Sequence, residues 1–197
     1  SRDALKAMVT TINTNAQTAA EISAQLLKLP AAADVDTAAE EAQGSDARAA
    51  YDKLTDAQKT WVSSAALQHL TAVESDIRTN LTSAEAFADA VAALPGNDQL
   101  SKTAAKQVEM VDAAYKKMSS AQKYRVSAAT LDVLANKQAA VAANEKAAAD
   151  LQKSVAALPK GADIDTDAEV QALNAAMNAY NGMNDAQKSW VDAAPGG

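Results

Sequence analysis

The stretch AYDKLTDAQKTWV at positions 50–62 returns as AYKKMSSAQKYRV at 114–126 and as AYNGMNDAQKSWV at 179–191. Its tyrosines, Tyr51, Tyr115 and Tyr180, lie 64 and 65 residues apart, and Leu-Pro keeps the same step at Leu29-Pro30, Leu94-Pro95 and Leu158-Pro159. Two landmarks holding one period are the mark of a tandem repeat chain. The units run over 1–62, 63–126 and 127–191, with a short linker or tail at 192–197. Length alone, 197 residues, suggests one or two ordinary domains, and the repeat replaces that expectation.

Upstream of each motif lies a heptad. In the first unit it reads Leu5, Met8, Ile12, Asn15, Ala19, Ile22, Leu26, Leu29, and in the second Leu70, Val73, Ile77, Asn80, Ala84, Phe87, Val91, Leu94. The third reads Leu134, Lys137, Val141, Asn144, Ala148, Leu151, Val155, Leu158. Alternating steps of three and four place these residues on one stripe of a helix of about 28 residues. Asn15, Asn80 and Asn144 share a core register, where a buried amide lowers stability but fixes the geometry of neighbours. Leu-Pro ends each helix, because the residue before proline is pushed out of the α region.

Five residues past each proline stands one aliphatic anchor, Val35, Leu100 or Ile164. A second helix follows. Thr37 with Glu40 and Thr166 with Glu169 have capping-box spacing, while the second unit offers Ser101 without the acid. Gly44 is the anomaly on this helix, since Val108 and Leu173 stand at its place in the other units. A third, short helix then carries Ala-Gln-Lys. Thr55 with Gln58, Ser119 with Gln122, and Asn184 with Gln187 repeat the cap spacing, so the recurrent glutamine reads as a structural cap. Ser63, Ser127 and Asp192 are placed to cap a new helix, which favours a break over a continuous spectrin-like helix between units. The expected fold is all-α: an elongated tandem array of three small three-helix units, spectrin-like or kinked.

Composition narrows the function. Apolar residues make up 48% of the chain but aromatics only 4%, so small alanine-rich units lean on their neighbours for stability. A net charge of −7 without a basic cluster argues against nucleic acid. No apolar run approaches the roughly 20 residues of a membrane span. The chain lacks cysteine, which fits a Gram-positive exterior and a cytosol equally. Without an initiator Met or signal peptide it reads as an internal fragment or processed product, and it is expected to be a monomer.

The pattern of Leu-Pro, a loop, a helix ending in Ala-Tyr, and then Ala-Gln-Lys with a closing Val resembles tandem helical repeats of secreted and wall-attached proteins of Gram-positive bacteria. That resemblance covers nearly the whole chain. It implies an extracellular or cell-surface setting, neighbouring domains of the same polypeptide as partners, and a spacer role. The alternative is an adhesin-type module that binds a host protein or glycan. No catalytic residue or cofactor comes with the resemblance.

Chemical motifs are sparse. His69 is the one histidine and reads as structural. Asp163, Asp165 and Asp167 have the alternation of a calcium loop, but Ala168 and Asn174 stand where an EF-hand needs Gly and Glu. The candidate contact residues are Trp61 and Trp190, whose place Arg125 takes in the second unit, and the lysines Lys59, Lys123 and Lys188. The tryptophans also suit a partial core, and the lysines also suit a soluble helix end.

Overall fold

A computed structural model describes residues 1–192, the side chains of Ala32, Ala162 and Asp192 aside; of the expected tail at 192–197, all but Asp192 lies outside the described residues. Among the described residues the regular structure is helical throughout. Three long helices, α1 (Arg2–Leu26), α4 (Ser64–Ala92) and α7 (Ala128–Ala156), are each followed by a 3-10 turn: Ala32–Asp34, Asn97–Gln99 and Gly161–Asp163. After each turn comes a medium helix, α2 (Ala38–Asp52), α5 (Lys102–Lys117) or α8 (Asp167–Gly182). A short helix closes each set: α3 (Asp56–Lys59), α6 (Ser120–Tyr124) and α9 (Asp185–Asp192).

The long helices hold their polar residues without breaking. Thr10, Thr11, Thr14 and Thr18 each donate a hydroxyl to the carbonyl four residues earlier, which leaves the backbone ladder intact. At the ends the expected caps are present. Thr37 with Glu40, Thr55 with Gln58, Ser119 with Gln122 and Thr166 with Glu169 form reciprocal boxes. Asn184 and Gln187 exchange the same pair of bonds, at 3.1 and 2.8 Å. Ser101 caps α5 through Ala104 N–H alone, as the missing acid requires.

The chain breaks between the short helix and the next long one. Ser63 Oγ accepts from Ala66 N–H and Ser127 Oγ from Thr130 N–H, each at 3.0 Å. The first break is also pinned from α1, where buried Ser23 accepts from Ser63 N–H at 3.0 Å. An orphan amide at a helix start thereby gains a partner.

The chain divides into two compact units, Ser1–Ala86 with Met118–Val126, and Phe87–Lys117 with the residues from Ser127 onward. Two of their limits, after Ala86 and after Lys117, fall inside the second sequence repeat, while the third, after Val126, coincides with a repeat boundary. In the first unit, Leu26 and Leu29 at the end of α1 pack with Ala47 of α2 and with Ala66, Leu70 and Val73 of α4. Ile22, Tyr51, Val62 and Ile77 flank this core. Gly44 is buried in α2, and a methyl group built on it would meet Ile77 Cδ1 at 3.7 Å, an ordinary contact. Across the same helix pair, Arg48 Nε and Nη2 donate to the two carboxylate oxygens of Glu74 at 2.7 and 2.6 Å. Val35, fully buried, closes the unit by packing its turn against α6, where Ala121 is also fully buried.

The second unit repeats this construction. Phe87 stacks at a tilt on Tyr115, with ring centres 5.3 Å apart, and α5 packs against the first half of α7. Leu100 is fully buried and its turn packs against α9, where Ala186 is buried. The second half of α7 packs against α8 and α9.

Candidate functional site

The repeated motif is where the sequence placed every candidate contact residue, so its geometry decides what those residues are free to do. Each glutamine is committed to its cap, as are Thr55, Ser119 and Asn184. Two of the lysines turn back onto the tyrosine eight residues earlier. Lys59 Nζ lies 5.6 Å from the centre of the Tyr51 ring, and Lys188 Nζ 5.4 Å from that of Tyr180. Cation–π contacts of this kind stabilise by about 0.5–1 kcal/mol at exposed positions. Lys123, at the same place in the second copy, is half-buried.

The tryptophan position has a role that the sequence did not reveal. Trp190 Nε1 donates to the carbonyl of Leu100 at 3.3 Å, and buried Asn144 Nδ2 donates to the same oxygen at 3.2 Å. Arg125 occupies the equivalent place in the preceding copy. Its Nη1 donates to the carbonyl of Val35 at 3.2 Å and to that of Ala121 at 2.8 Å. In both cases the acceptor lies 90 residues back and is the carbonyl of the buried aliphatic anchor. A buried carbonyl needs a partner, and a long side chain with an N–H supplies it. Arg125 is therefore a substitute donor, not an interruption of an aromatic surface. Its side chain is only 5% exposed, and its charge is offset by Glu41, whose Oε1 lies 3.6 Å from Nη2. That distance is too long for a hydrogen bond, so Nη2 is left without one. What could have shown the role is the one property that Trp and Arg share, a reaching N–H donor.

Trp61 differs. It is 55% exposed, and Ala57 beside it is exposed where Ala121 and Ala186 are buried. Of the five sequence candidates, Lys59 and Trp61 share one corner of the first unit, while Trp190 and Lys188 share one corner of the second.

Other polar side chains make contacts within the fold. His69 Nε2 lies 3.0 Å from the carbonyl of Leu29, at the Leu-Pro corner, and Lys137 Nζ reaches the carbonyl of Pro95 at 2.6 Å. The backbone amides of Asp165 and Thr166 both bond Glu169 Oε2, so this part of the acidic loop is a cap. Among the described residues no group of three His, Cys, Asp or Glu side chains is placed to share a metal ion. The hydroxyls of Thr37 and Thr166 hold the carboxyls of Glu40 and Glu169 below the ordinary value, and the hydrogen-bonded Arg48 does the same to Glu74. Each of these shifts belongs to a cap or an ion pair of the fold, a common source of such shifts outside functional sites.

Surface grooves among the described residues include the following. One, of about 430 Å3, lies between α1 and α2 and is lined by Gln25, Lys28, Gln43 and Asp46 among others. A second, of about 160 Å3, separates α5 from α7 and has Glu109, Asp112 and Glu145 at its rim. The third, about 280 Å3, is apolar and runs between the second half of α7 and α8, lined by Leu151, Val155, Leu173, Met177 and Tyr180. No helix among the described residues is long and apolar enough to cross a membrane. No family model matches the chain, and no curated protein or solved structure is significantly similar to it.

Proposed function

We propose that this chain is a non-catalytic spacer of a bacterial extracellular protein, a run of tandem three-helix repeats that holds a functional domain away from the cell surface. One observation carries the proposal: side chains of the recurring motif are occupied inside the fold. The glutamines cap helices. Lys59 and Lys188 cover tyrosine rings, and Trp190 satisfies a backbone carbonyl. A repeated binding site would instead keep an exposed side chain in each copy. The partners of a spacer are the neighbouring domains of its own polypeptide. Repeats that contact only their sequence neighbours extend the chain. Small-angle scattering on dilute protein is then expected to give a radius of gyration well above the ~16 Å of a compact globule of this length. A value at ~16 Å would defeat the spacer.

The exposure of Trp61 favours one alternative, an adhesin-type module presenting a helical face to a host protein or glycan. A spacer and such a module differ in whether a ligand binds once per repeat.

A further inference from the structure

Among the described residues, apolar surfaces at two places lack the cover that their counterparts have. The first half of α1 exposes Leu5, Met8, Val9 and Ile12, at 65, 63, 57 and 50%. At the same heptad places on α4, Leu70 and Val73 are buried against the end of α1 and α2, with Ile77 packed beside them. On α7, Leu134 is buried and Val141 half-buried in the contact with α5. The other open surface is the groove between the second half of α7 and α8. Leu158 in this groove and Met183 just after α8 are half-buried, whereas Leu29 and Leu54 at the same places in the first unit are buried.

The two surfaces match in chemistry as well as in position. In the first unit the pair facing each other across the α2–α4 contact is Arg48 and Glu74. Counting by the repeat, Met177 replaces Arg48 in the groove, and Val9 replaces Glu74 on α1. Both are apolar, and Met177 is 54% exposed. An ion pair has been exchanged for a hydrophobic pair on two surfaces that do not meet in the structure of a single unit. A second mismatch agrees. Ile164 is half-buried where Val35 and Leu100 are fully buried, and the Ala57–Trp61 corner that would receive such an anchor is open.

We propose that a second copy of this chain docks here, its α1 lying in the α7–α8 groove with Val9 against Met177, while Ile164 seats on the Ala57–Trp61 corner of that second copy. The contact reproduces the two already seen: the next long helix covers the preceding pair, and the preceding anchor covers the next short helix. It joins two different surfaces and is therefore heterologous, so association continues beyond a dimer or closes into a ring.

The test is sedimentation equilibrium of the full chain from ~10 µM to ~1 mM, the range of a weak interface. The weight-average mass is expected to rise with concentration. Val9→Glu or Met177→Arg alone should weaken association about tenfold or more, because each places one charge against an apolar partner. Both side chains are exposed in the free chain, so neither change threatens the fold; circular dichroism checks this. The double variant Val9→Glu, Met177→Arg rebuilds the Arg48–Glu74 pair and should recover association. A monomer over the whole range would overturn the proposal, as would self-association that ignores both single changes or a double variant no better than the weaker single one.

Discussion

Gly44→Ala should stabilise the first unit, and the structure sets the size of the gain. Gly44 lies in the middle of α2, where glycine costs about 0.8–1 kcal/mol relative to alanine through the entropy of the unfolded chain. The added methyl would face Ile77 Cδ1 at 3.7 Å, close enough to gain contact and too far to clash. Burying one such group contributes up to about 0.8 kcal/mol. The two effects together give about 1–2 kcal/mol, or a rise of roughly 4–15 °C in the melting temperature for a cooperative unit below about 100 residues. Urea unfolding followed by circular dichroism is the assay, with the midpoint expected to rise at an unchanged slope. Gly44→Val is the internal control. Its γ-carbons extend beyond a Cβ already in contact and force Ile77 to move, so it should gain less than alanine despite Val108 at the same place in the next copy. A Gly44→Ala variant no more stable than the parent would refute the packing described for α2 against α4.

Three other outcomes follow from the same geometry. Arg125→Ala should cost about 1–3 kcal/mol by leaving the Val35 carbonyl without its Arg125 donor, and Arg125→Trp should recover part of that through the bond Trp190 makes; equal losses in urea melts would count against the shared donor role. Gln122→Ala should cost about 0.5–2 kcal/mol, the range of a lost cap, with no change in any binding; a loss of binding at unchanged stability would make Ala-Gln-Lys a recognition motif. The carboxyl of Glu74 sits below its ordinary value in the folded chain, so the unfolded chain binds more protons as pH falls. Its contribution is complete above about pH 4.5 and fades as pH drops through the lower folded value. Glu40 and Glu169 act in the same direction through their caps. Glu74→Gln should therefore flatten the dependence of stability on pH below 4.5, and an unchanged slope would show that the Arg48 pair contributes nothing there.

Much of the fold was legible because its determinants are local. The Leu-Pro stops, the serine and threonine caps and the heptads each work within four residues or one turn, and the observed helix ends follow them. The break before α4 was legible through Ser63, although its second support, Ser23 some 40 residues earlier, was not. Asn144 was expected at a core position that fixes the geometry of its neighbours, but its partner there, the carbonyl of Leu100, 44 residues earlier, was not legible. The partners of Arg125 and Trp190 were hidden for the same reason: a bond across 90 residues depends on which turn meets which short helix. The lysines had no visible task because Lys59 and Tyr51 stand eight apart and are brought together only by the turn between α2 and α3. The assignment of α6 to the first compact unit is also non-local, since it follows the seating of Val35 on α6 rather than the period of the sequence.

The central claim is that the recurring motif serves the fold and offers no ligand site. Its most direct test is titration calorimetry on any ligand recovered by a glycan array and by a pull-down from host mucus or serum. The account predicts no saturable binding at one site per repeat. Binding at three equivalent sites, abolished by substituting Lys59, Lys123 and Lys188 while the helical signal and melting temperature persist, would contradict it in favour of the binding module.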